Sequence, residues 1–158
     1  MPPALRSFLA LLAFLALTFS AAAAGARFMP GEWYAQLSKP SWNPPSWIFG
    51  PAWTFLYACM AVAAWLVWRK QGLAGAATPI ALWIVQLGLN SAWSWLFFGL
   101  HRPDLAFVDI CALWIAITAT MALFWRATAL AGALFVPYVA WVSFAAVLNF
   151  TIWKMNSP

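Results

Sequence analysis

Five stretches of roughly 20 apolar residues recur along this chain, at about 5–26, 49–69, 78–100, 104–125 and 129–153, each long enough to cross a hydrocarbon layer of about 30 Å as a helix. Inside such a layer no water satisfies a free N–H or C=O, so a segment of this length closes its hydrogen bonds within itself and is helical. Composition leaves no water-soluble alternative: 66% of the 158 residues are hydrophobic and 7% charged, against about 25% charged in ordinary globular domains. The predicted fold class is therefore all-α. It is a single domain over 1–158 with five transmembrane helices, integral to a membrane and multi-pass.

The connections sharpen this. RKQGLAGAAT, HRPD and RAT join the later segments, and links so short pair antiparallel neighbours into an up-and-down bundle. Residues 27–48 are the one long connection, and they do not read as a flexible linker. Trp33, Tyr34, Trp42 and Trp47 alternate there with Pro30, Pro40, Pro44 and Pro45, large rings on a backbone that proline stiffens. A pre-shaped aromatic lid is predicted. Pro51, Pro79 and Pro103 suit first-turn positions, whereas Pro137 falls well inside the fifth segment and predicts a kink.

The first segment admits a second reading. Arg6, an apolar core and Ala21 to Ala24 also resemble a secretory signal cleaved near Gly25. Its run is longer than the usual 7–15-residue signal core, and its small residues suit close helix packing. Sidedness is not legible from charge. Arg6, Arg69, Lys70 and Arg126 fall at the N-terminal end, and Arg27, Lys39, Arg102 and Lys154 at the other. The tie gives the positive-inside rule nothing to decide. The net charge of +5 belongs to these flanks and not to a nucleic-acid surface.

Ionisable and metal-binding side chains are scarce. Cys59 and Cys111 each lie in an apolar segment and read as small packing residues, and no metal framework is expected. His101 sits alone in a short loop, where an interfacial role is favoured over a haem ligand. Of the three acids, Glu32 lies in the lid, Asp104 reads as a helix cap and Asp109 lies near enough to the interface to be hydrated. With no charge at any helix centre, an ion-driven pump is disfavoured. No flavin or nicotinamide fingerprint occurs, and no cofactor is expected.

Stripes at helical spacing remain: Trp53, Tyr57 and Met60; Gln86, Asn90, Trp93 and Phe97; Tyr138, Trp141, Ala145 and Leu148. Interfacial belts account for Trp65, Trp68, Trp125 and Trp153 near segment ends. They do not account for amides inside hydrocarbon, which seek a partner. Three aromatic faces closing around Asn90 predict a flat, mostly apolar slot for a planar ligand.

The motifs Trp33-Tyr34, Leu37, Lys39-Pro40, Trp42, Pro44-Pro45, Trp47, Ala52-Trp53-Thr54 and Tyr57 are similar to those of the TspO/MBR family, the tryptophan-rich sensory proteins related to the mitochondrial translocator protein. The likeness continues through Asn90, Trp93, Phe98-Gly99, Pro137-Tyr138, Trp141 and Leu148-Asn149-Phe150. It implies a five-helix bundle whose first loop caps a site for porphyrins, sterols and other planar hydrophobic ligands, serving as a receptor or carrier. The residues it implies for binding are Tyr34, Trp42, Trp53, Asn90, Trp93, Trp141 and Ala145, to which the stripes add Tyr57 and Tyr138. The alternative it carries is light- and oxygen-dependent porphyrin degradation by Trp53 and Trp141. It further implies a homodimer through Gly88 and Ala92 of the third span. The sterol motif near the C-terminus has Phe150 where the pattern wants Tyr, which weakens that part of the expectation.

Overall fold

The computed structural model describes residues 2–157. Its long helices are α1 (Pro3–Gly25), α3 (Phe49–Gly75), α4 (Ala77–Ser94), α5 (Pro103–Ala127) and α7 (Val136–Asn156), with a short α2 (Glu32–Gln36) in the lid and a short α6 (Ala129–Ala133) before α7. Five helical segments are long and apolar enough to span a bilayer. The protein is an integral, multi-pass membrane protein.

Small residues set how closely these helices approach. Ala61, Ala63 and Ala64 of α3 are wholly buried, and side chains of that size let neighbouring backbones meet where lipid offers no hydrophobic drive for association. α3 packs against α1, α4 and α5, and α5 against α4 and α7. The result is solid in one half. Met60, Val67, Trp83, Ile117, Phe124 and Phe135, each with no exposed surface, fill the end remote from the lid. Beneath the lid, residues of α1, α3, α4, α5 and α7 line an open space.

Several elements differ from the sequence reading. The fifth span is broken: α6 ends at Ala133, and α7 restarts at Val136 with Pro137 in its first turn. The expected mid-helix kink is thus a helix start, where the missing N–H has no partner to lose. α3 runs on past the expected 69 to Gly75, absorbing an offset at Gly72, whose φ of 68° is a left-handed value suited to glycine. Asp104 does not cap α5. It lies one residue inside, where its carboxylate accepts from Nη2 and Nε of Arg102 at 2.6 and 2.8 Å. Cys111 is exposed on the outer face, unlike buried Cys59, so it packs little. α4 opens into a π turn, Trp95–Gly99, closed by Leu100 N–H to Trp95 C=O at 2.8 Å. That wider turn aims Phe97 and Phe98 at the lid, where both pack against Tyr34.

Candidate functional site

The lid is a fixed object. Lys39 donates to the carbonyls of Tyr34, Leu37 and Ala35 at 2.6, 2.9 and 3.2 Å, tying down the C-terminal end of the short α2. Asn156 at the end of α7 exchanges two bonds with Ser38, each 2.9 Å. Trp33 stacks on His101 with centroids 4.3 Å apart and planes 11° from parallel, and packs its edge on Phe97. Trp42 meets Phe144 at 5.8 Å. The Tyr34 hydroxyl donates to Asn43 Oδ1 at 3.2 Å. Burial pushes this phenol up from its usual range, with the Asn43 bond offsetting part of the effect, so Tyr34 keeps its proton at physiological pH.

Beneath the lid lies a cavity of about 1100 Å³. Its walls are aromatic. Trp53 stacks on Tyr57 at 5.4 Å and meets Trp141 edge to face at 6.4 Å, while Phe49 extends that wall from Trp141 at 5.9 Å. Across the space Trp93 stacks on Phe97 at 5.1 Å. The Trp93 indole N–H is held by Asn149 Oδ1 at 2.9 Å, and Asn149 in turn donates to the Pro103 carbonyl at 2.8 Å.

The floor is a directed chain of hydrogen bonds. Tyr57 donates to Asn90 Oδ1 at 2.5 Å, Asn90 Nδ2 to the Tyr138 oxygen at 3.0 Å, and Tyr138 to Gln86 Oε1 at 2.8 Å. Gln86 Nε2 ends it against the Met60 sulfur at 3.6 Å. Amides and hydroxyls buried in hydrocarbon are thereby paired. Each hydroxyl proton is spent inside the chain. Tyr57 and Asn90 border the cavity, whose lining also includes the polar side chains of Asn43, Ser46, Thr54, Ser94 and Asn149. Lys39 is the one charged side chain among the described lining residues, and its protons are already committed to carbonyls.

Of the residues singled out from sequence, Tyr34, Trp53, Tyr57, Asn90, Trp93, Trp141 and Ala145 line the cavity. Trp42 and Tyr138 do not. Trp42 is a lid fastener, 45% exposed, and Tyr138 lies behind the floor with no exposed surface. The sequence reading named Asn149 in a motif but did not assign it to the site, although an amide inside an apolar span was the signal that drew attention to Asn90. It also missed the wall given by α1, where Phe19, Ala22 and Ala23 line the space. Gly88 of α4 faces outward, with nothing within 4 Å of where a side chain would begin.

Fold and cavity together define a class: a five-span helical membrane protein with a capped aromatic chamber at one end. The TspO/MBR family profile matches residues 8–154, and the chain belongs to that family. It is 45% identical over 140 residues to Protein CrtK of Rhodobacter capsulatus, covering 86% of each chain. It is 41% identical over 137 residues to the human Translocator protein, covering 84% of this chain and 81% of that one. With the Tryptophan-rich sensory protein of Cereibacter sphaeroides it shares 41% identity over 145 residues, 92% of this chain and 90% of the relative.

Proposed function

We propose that the protein is a receptor or carrier for tetrapyrroles such as protoporphyrin and for other planar hydrophobic molecules, sterol-like ones included, which occupy the chamber under the lid. The observation that carries this reading is the chamber itself. Its volume of about 1100 Å³ lies just above the usual range for small-molecule sites, about 300–1,000 Å³, and such sites are mostly apolar with a few placed polar groups. Aromatic faces suit a flat conjugated guest. The names of the relatives, which speak of sensing and translocation, agree with binding as the selected property.

A second reading rests on one distance. Trp53 and Trp141 stand 6.4 Å apart on the same wall, so a porphyrin against that wall touches two oxidisable indoles. In this reading light excites the bound porphyrin and dioxygen is the oxidant. Titration of purified protein with protoporphyrin in darkness and under illumination separates the two. Saturable binding with a stable porphyrin spectrum in both conditions is the receptor or carrier outcome. Bleaching in light that Trp53→Phe with Trp141→Phe abolishes is the enzyme outcome. Absence of saturable binding overturns both. A second copy of the chain docked on the outward stripe at Gly88 and Ala92 is part of the proposal, and cysteine cross-linking at Gly88 in membranes tests it.

A further inference from the structure

The end of the bundle remote from the lid carries four cations that nothing described so far uses. Arg6 on α1, Arg69 and Lys70 on α3, and Arg126 at the end of α5 are all exposed. The three acids of the chain, Glu32, Asp104 and Asp109, all belong to α2 and the first turns of α5, in the lid half. The remote end is thus +4 with no carboxylate among the described residues. The lid end is four cations less three acids, or +1, and the two sum to the net charge of +5.

Two of the four lid-end cations are committed to oxygen acceptors. Lys39 is bound to three carbonyls and Arg102 is paired with Asp104, whereas Lys154 only rests on a ring, that of Trp153 at 4.7 Å. At the remote end the guanidinium groups are held but not neutralised. Trp65 and Trp68, three residues apart on α3, share one face. Arg69 lies 4.6 Å from the Trp65 ring centroid and Arg6 lies 5.7 Å from that of Trp68. The Trp65 indole N–H donates to the Ser7 carbonyl at 2.9 Å, which pins the first turns of α1 to the last turns of α3. Two guanidinium groups from different helices therefore sit on adjoining indoles.

A guanidinium resting on a ring keeps its in-plane N–H fork free, and that fork matches the paired oxygens of a phosphate. Indoles favour the headgroup depth of a bilayer, so the stack holds the forks at the level of lipid phosphates and orders them before any lipid arrives. We propose that this end is a binding site for an anionic phospholipid headgroup, gripped by Arg6 and Arg69, with Lys70 and Arg126 raising the local positive potential. The site is separate from the chamber and does not depend on what the chamber binds.

The test is lipid retention. Protein reconstituted into bilayers of equal phosphatidylglycerol and phosphatidylcholine is extracted in mild detergent, and bound lipid is read by native mass spectrometry. The wild type retains phosphatidylglycerol in preference. Each removed charge near a membrane surface weakens such attraction about fivefold, so R6Q/R69Q lowers retention by roughly an order of magnitude or more, and R69Q alone by about fivefold. R27Q/K154Q, two charges removed at the lid end, retains the wild-type amount. Equal retention of the two lipids by the wild type overturns the proposal. So does an equal loss in R27Q/K154Q, which signals diffuse charge and no site. Should the double variant fold poorly, R69Q, which leaves the Trp65–Ser7 bond in place, decides alone.

Discussion

The bond from Tyr57 to Asn90 is the most direct handle on the chamber floor, because it joins α3 to α4 with both partners buried at 8% and 6% exposure. Asn90→Leu keeps the side-chain size and removes two bonds, the one from Tyr57 at 2.5 Å and the one to Tyr138 at 3.0 Å. Tyr138 keeps its own proton on Gln86 at 2.8 Å and loses only an accepted bond, and Tyr57 still borders the cavity. The Tyr57 hydroxyl is the donor left without its acceptor, and it lies at the cavity edge. Polar contacts between membrane helices average about 0.6 kcal/mol and reach about 1.7 at most, so two lost bonds predict a destabilisation of about 1.2 kcal/mol, with a ceiling near 3.4. A double-mutant cycle with Tyr57→Phe isolates the shared bond. Its coupling energy is expected between about 0.6 and 1.7 kcal/mol, measured by reversible unfolding in mixed micelles. Asn90→Leu also removes a polar side chain from the chamber lining. A ligand hydrogen-bonded to that side chain should lose about 0.5–1.5 kcal/mol of affinity, and an all-hydrocarbon ligand should lose none. Coupling below about 0.3 kcal/mol, within the scatter of independent sites, would refute the reading of the floor as a connected chain.

Two further outcomes are expected. Gly132→Ala places a Cβ against Trp125 Cε3 and 2.7 Å from Trp125 Cβ; the latter atom is fixed to the α5 backbone, so the change should cost about 1–3 kcal/mol by overpacking, read as a lower unfolding midpoint with ligand affinity little altered, and an unchanged midpoint would contradict the tight α5–α6 contact. Asn156→Ala removes both bonds to Ser38, so amide exchange across residues 32–45 should accelerate while the span helices keep their protection; exchange unchanged in the lid would mean that the aromatic contacts alone hold it.

Much of the molecule is legible along the chain, for identifiable reasons. Hydrocarbon forces every polar backbone group into a helix, so apolar run length gives the spans directly, and proline with tryptophan between the first two gives a stiff cover. Helical spacing also places Trp53 with Tyr57, and Asn90 with Trp93, on common faces. Local pattern misjudges Pro137, because the break at Leu134 and Phe135 lies inside an unbroken apolar run and leaves no mark in hydropathy. Which face meets which neighbour is settled only by packing. Tyr138 and Trp141 lie on one helix three residues apart, yet the rotation of α7 puts Trp141 on the chamber wall and Tyr138 behind its floor. Trp42 is a fastener because Phe144, more than a hundred residues later, comes to meet it, and the lid is seated by Ser38 and Asn156 at a separation of 118. Periodicity fixes directions within one helix; the relative rotation of helices, and so the difference between wall, fastener and floor, arises from contacts between residues far apart in the chain.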